Sequence, residues 1–195
     1  LDSLVHQDIS ESDYEVIAVD DGSTDSTGEI CDRYAKEYPQ VKVMHQANEG
    51  ASVARNNGMS MAQGQYLYFV DGDDFVAENC FKALLHIAET NALDVVMFDF
   101  KAVNPDTPVP TAQSSEVQDV KVITGKEFLT DNCLHGALWL YFVKRELVER
   151  ERLHFPVGRM CDDNVFSLSA ILAAHRMVKL SKVCYYYVQR PGSII

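Results

Sequence analysis

Tyr66-Leu67-Tyr68-Phe69-Val70-Asp71-Gly72-Asp73-Asp74 decides how this chain is read: an apolar, aromatic run ends abruptly in three carboxylates and a glycine. The run, from Gln65 to Val70, has the length and composition of a buried strand. Upstream the pattern occurs once more, where Tyr14-Glu15-Val16-Ile17-Ala18-Val19 breaks into Asp20-Asp21-Gly22-Ser23. Between the two, the spacing predicts a helix from about Asp25 to Tyr38, stopped by Pro39. A short strand over residues 41–44 and a helix rich in small residues from Gly50 to Ala62 follow. Further on, Phe81, Leu84, Leu85 and Ala88 make one face of a helix, and Asp94 to Phe100 makes a strand. Strands alternating with helices predict an α/β fold, a doubly wound, mainly parallel sheet with helices on both faces. Ligands of such sheets lie outside the carboxyl ends of the strands, and both acidic clusters fall there.

The second half has a different texture. Asn104 to Gln118, with Pro105, Pro108 and Pro110, reads as a polar surface excursion rather than a domain boundary. Residues 124–134 and 162–174 read as helices, Trp139 to Val143 as an apolar aromatic run, and residues 178–180 with 183–188 as a closing pair of strands. At 195 residues the chain has the size of one α/β domain, and 47% hydrophobic residues suffice for a core. No apolar run approaches the roughly 20 residues that span a bilayer, and no signal peptide opens the chain. Leu1-Asp2-Ser3-Leu4-Val5 reads as a helix already under way, so a native element is expected before it. A net charge of -12 argues against nucleic acid as a partner. Cys31, Cys80, Cys133, Cys161 and Cys184 are scattered, odd in number and form no C-x-x-C pair, which fits a reducing cytoplasm.

Several short constellations can carry chemistry. Asp71-Gly72-Asp73 offers hard oxygen ligands of the kind that hold Mg²⁺ or Mn²⁺ together with substrate phosphates; a solvated turn is the alternative, and the preceding strand favours the metal. A carboxylate in Asp20-Asp21-Gly22-Ser23-Thr24-Asp25 can accept the imide N–H of uracil or thymine, or a ribose hydroxyl, while a neighbour caps the next helix. Asn48-Glu49-Gly50 leads into a helix whose free N–H groups, with Arg55, suit an anion; a surface ion pair is the equal alternative for Arg55. Asp162 and Asp163 open a helix, either complementing its dipole or supplying a general base. Trp139 reads as a core aromatic rather than a sugar platform, and Cys161 as a bystander. His45 and His135 have no spacing that marks them as ligands.

Taken in order, these blocks resemble the bacterial family 2 glycosyltransferases of capsular and exopolysaccharide type, which have the GT-A fold. The carriers are residues 19–25, Asn48-Glu49-Gly50, Ala54-Arg55-Asn56-Asn57-Gly58, residues 62–74, Asp162-Asp163, and the closing Tyr185-Tyr186-Tyr187 with Arg190-Pro191-Gly192-Ser193-Ile194. The resemblance implies a single catalytic domain with a nucleotide-sugar half (1–100) and a smaller, partly antiparallel acceptor half (101–195). It also implies that the family's first strand precedes Leu1 and that many members continue beyond Ile195. Asp20, Asp21, Asn48, Gly50, Arg55 and Asp71 would bind a UDP-type donor, Asp73 and Asp71 would hold Mn²⁺ or Mg²⁺, and Asp163 would be the catalytic base of an inverting transfer. The acceptor would be a saccharide or lipid-linked saccharide, and the location cytoplasmic, with room for peripheral contact at the inner face of the plasma membrane and for a homodimer. Asp162 stands where the family more often has Glu. Two rival readings are a nucleotide-sugar-binding domain without turnover and a dehalogenase-type phosphotransferase; against the latter, Phe75 stands where its motif needs Thr or Val.

Overall fold

The computed structural model describes residues 1–108, 120–132 and 136–190. The stretch 109–119, Cys133, Leu134, His135 and the tail residues 191–195 lie outside the described residues, and with them most of the expected surface excursion. In chain order the elements are α1 (Asp2–Val5), β1 (Val16–Asp21), α2 (Thr27–Glu37), β2 (Val41–Gln46), α3 (Ala51–Met61), β3 (Tyr66–Tyr68), β4 (Phe75–Val76) and α4 (Phe81–Thr90). They continue with β5 (Val95–Val103), α5 (Gly125–Asp131), a 3₁₀ turn (Leu138–Leu140), β6 (Tyr141–Lys144), α6 (Arg145–Arg150), α7 (Asp162–Ala173) and β7 (Met177–Val188).

The α/β alternation of the first half is present, but the central sheet is mixed. β1 and β2 pair in parallel, Val16 opposite Val41 through Asp21 opposite Gln46. The remaining strands form a five-stranded sheet in the order β3-β6-β5-β7-β4. There β5 and β7 are parallel, while β6 runs antiparallel to both β3 and β5, and β4 antiparallel to β7. Antiparallel pairing enters where β6, from the second half, threads between two strands of the first, and where β4 meets β7. The expected closing pair of strands is one continuous strand. Residues 180–182 do not turn; they form a bulge, since Met97 lies opposite Lys179 but Asp99 opposite Val183.

Side chains of β5 alternate across the sheet as a strand's must. Val96 and Phe98 point to a core shared with Leu84, Ile87 and Ala88 of α4. Val95 and Met97 point to the opposite core, with Phe128 of α5, Leu147 of α6, and Phe166 and Ile171 of α7. Burial of such side chains stabilises by about 1.5–3 kcal/mol each. Helix α5 is fixed at its start by a capping box, in which Thr124 and Glu127 satisfy each other's backbone N–H. The β1–β2 pair has only the small cluster of Val5, Val16 and Val41. Between this pair and β3 lies a cavity of about 1460 Å³, walled by Val16, Ile17 and Val19 on one side and Leu67 and Phe69 on the other. Residues of α3 and α4, among them Met59 and Leu85, complete its lining.

Candidate active site

Three acidic motifs converge on the first turns of α3. At the end of β1 the buried Asp20 accepts the Ser23 N–H at 3.1 Å, and its Oδ2 lies 2.9 Å from Nδ1 of His45. The bonds from Ser23 and His45 hold its carboxyl below the ordinary range. Asp21 accepts from Glu49 N–H (2.9 Å), Gly50 N–H (2.8 Å) and the Gln46 side-chain amide (2.8 Å). The Glu49 bond leads in lowering its pKa as well. Asp21 thus holds the Asn48–Gly50 loop at the mouth of α3. The chain can approach so closely because Gly22 has φ +71°, and a Cβ there would stand 2.7 Å from the Asn48 nitrogen.

One turn on, α3 reaches the other two motifs. Ser52 donates its hydroxyl to Asp162 Oδ2 at 2.7 Å. Arg55 lies 3.3 Å from both Asp162 and Asp71, with its guanidinium over the Phe155 ring at 5.6 Å. The two alternatives for Arg55 therefore merge: it is ion-paired, and its partners are the acids of the site. In the turn itself Asp73 is exposed, and among the described residues its carboxylate has no side-chain partner. A Cβ on Gly72 would meet nothing within 4 Å, so this side of the turn is open.

Asp162 and Asp163 begin α7 as expected, after Cys161 in a left-handed conformation (φ 59°). Both complement the helix dipole, and their environments diverge. Burial works to raise Asp162, but Ser52 and Arg55 outweigh it and keep its carboxyl low. Burial pushes Asp163 up, and the neighbouring Asp162 adds to the rise. Adjacent carboxyls driven apart in this way give one permanent anion and one proton acceptor with more basic character.

Among the described residues no group of three or more His, Cys, Asp or Glu side chains is assembled to hold a metal ion. The turn does supply an open carboxylate in Asp73 and a second two residues away. That donor set suits a hard cation whose shell a diphosphate completes, not an all-protein cage.

Glycosyl transferase family 2, as a family model, matches residues 1–152. The chain belongs to this family. Its relatives include the glycosyltransferase EpsJ of Bacillus subtilis, uncharacterised in activity, with 39% identity over 100% of this chain and 57% of that protein. The poly(ribitol-phosphate) beta-glucosyltransferase of Bacillus spizizenii is 32% identical over 98% of this chain and 30% of its own length. Among solved structures, Staphylococcus aureus TarS 1–349 in complex with UDP-GlcNAc superposes with a TM-score of 0.82 at 28% identity, covering 98% of this chain and 54% of that one. The chain therefore spans only part of the proteins it matches. The family membership and the GT-A fold stand as expected.

Three residues to which the sequence assigned no role contact the acids of the candidate site. Ser52 stands three positions before Arg55, so both lie on one face of α3, a signal that was present. His45 lies opposite Asp20 in the β1–β2 register and joins it to Asp32, its Nε2 lying 3.0 Å from Asp32 Oδ1; only the pairing reveals this. Tyr185 is fully buried in a stack on Trp139 (4.4 Å between centroids), and its hydroxyl contacts the acidic turn. Trp139 is thereby a packed aromatic, as the composition of its surroundings suggested.

Proposed function

We propose that this chain is the catalytic domain of an inverting glycosyltransferase that moves a sugar from a UDP-type donor to an acceptor hydroxyl in cell-surface polysaccharide synthesis. The observation that carries the reading is the opposed pair Asp162 and Asp163, tied through Arg55 to Asp71. Asp163 takes the proton of the acceptor hydroxyl. The oxygen attacks the anomeric carbon as the bond to the diphosphate breaks on the opposite face, so an α-linked donor gives a β-linked product. Asp162 stays ionised, and with Asp71 it holds Arg55 at the side of the site where the diphosphate arrives. Asp20 and Asp21, with Asn48 and Gly50, shape the nucleoside end.

Asp73, with Asp71, would hold Mn²⁺ or Mg²⁺, which supplies neutralisation of the diphosphate as it departs. The TarS complex with UDP-GlcNAc supports a UDP-sugar donor. The acceptor in this reading is a saccharide or lipid-linked saccharide. A cytoplasmic location accompanies it, in keeping with the free thiols of Cys31, Cys80, Cys161 and Cys184. No helix among the described residues is long and apolar enough to cross a membrane. Calorimetric titration with UDP tests the reading. Binding should require Mn²⁺ and be abolished in Asp73→Ala; binding that ignores both the metal and the substitution overturns the metal site.

A further inference from the structure

The carboxylates of Asp71-Gly72-Asp73-Asp74 have different surroundings, and the last of them faces inward. Asp74 accepts the Tyr185 hydroxyl on Oδ2 at 2.6 Å and the Val188 N–H on Oδ1 at 2.8 Å. Burial raises its pKa despite both bonds. The same Tyr185 hydroxyl accepts the Asp71 N–H at 3.3 Å, and Arg190 donates to the Asp73 carbonyl at 3.3 Å. Directly after the turn, Phe75 and Val76 pair with Tyr186 and Tyr185. The end of β7 thus holds the turn from behind, while Arg55 takes the Asp71 carboxylate from the front.

We propose that Tyr185 and Asp74 are positioning residues, which fix where Asp71 and Asp73 stand relative to Arg55 and Asp162 and so set the affinity of the turn for a divalent cation with UDP. The inference rests on the reading of Asp71 and Asp73 given above. Asp74 is not itself a ligand in this arrangement, because both its oxygens are engaged by β7. Tyr185 is well placed to act in this way. Its ring is locked by the near-parallel stack on Trp139 (7° between planes), so its hydroxyl has a fixed place.

The test is Tyr185→Phe, which removes the hydroxyl and keeps the ring. UDP binding is followed by calorimetry across a Mn²⁺ titration, and the emission of Trp139, the single tryptophan, reports the stack. The Mn²⁺ midpoint should rise about tenfold, the order expected for losing a hydrogen bond to a charged group. Full UDP binding should return at saturating Mn²⁺, with the Trp139 emission unchanged. A mere folding defect lowers the amplitude of binding and leaves the midpoint in place, and that outcome overturns the proposal. If Tyr185→Phe does not fold, Asp74→Asn carries the same test: a raised midpoint supports the proposal and an unchanged one refutes it. Wild-type and Asp73→Ala titrations separate the two levels. A wild type that needs Mn²⁺ and loses it in Asp73→Ala, beside an unmoved Tyr185→Phe, overturns this inference alone. A wild type indifferent to Mn²⁺ removes the metal reading and this inference with it.

Discussion

Asp20-Asp21 and Asp162-Asp163 are the same dipeptide in the same chain, and the fold makes different groups of them. The first pair sits at the end of a strand, where backbone amides of the next loops turn toward it: Ser23 for Asp20, Glu49 and Gly50 for Asp21. Both members are held low and both are anions at neutral pH. The second pair opens a helix beside a hydroxyl and a guanidinium whose bonds go to only one of its members. Asp162 is held low and Asp163 is raised. Donors shared evenly make a fixed anionic frame, whereas donors given to one neighbour leave the other able to exchange a proton.

The contrast can be broken at its strongest point by Asp163→Asn. Turnover should fall by about a thousandfold while Mn²⁺-dependent UDP binding survives, because a base is removed and the frame is kept. Turnover that persists would make the two pairs alike. An intermediate effect is expected of Arg55→Ala, with kcat about tenfold lower, as for loss of one charge-assisted contact. The sign of its pH effect is definite. In the proposed role Asp163 works deprotonated, so activity should be lost as pH falls through its pKa. Arg55 lowers that pKa, so its removal should move the acid limb of the pH profile of kcat/KM to higher pH. A limb that stays still, or moves down, would detach Arg55 from the pair.

The smallest effect concerns the first pair. Asp20 and Asp32 raise His45 above its ordinary 6.5, Asp20 contributing most. A group raised in the folded state stabilises below its unfolded pKa, and that contribution is lost as pH rises through the folded one. Thermal stability should therefore decline as pH rises from about 6.5, and His45→Gln should flatten the decline. An undiminished slope in the variant would mean that the Asp20 frame does not depend on the imidazole.

The order of elements in the first half was legible because each announces itself locally. Val16 to Val19 is apolar and β-branched, and Ile30 and Tyr34 recur at helical spacing. The acidic ends of two strands could be placed in one region from the general behaviour of such sheets. Tyr141-Phe142-Val143-Lys144 could be read as a strand but not as the one that separates β3 from β5, since nothing local encodes a partner that distant. The break at Ser181-Lys182 looks like a turn in sequence, and only the register with β5 shows the strand continuing. In the candidate site, the residue types of Asp71, Asp73 and Asp163 stood out. What did not was direction: Asp74 differs from Asp73 only in facing Tyr185, and that is settled by tertiary packing.

The insertion of β6 beside β5 has a consequence for how the chain acquires its shape. Val95 cannot meet Val143 and Met177 until those residues have been made, so residues 1–100 leave the ribosome before the partners of β5 exist. Loop closure over such spans is slow, and bare edges invite pairing with other chains. Expression of residues 1–100 alone should therefore give aggregates.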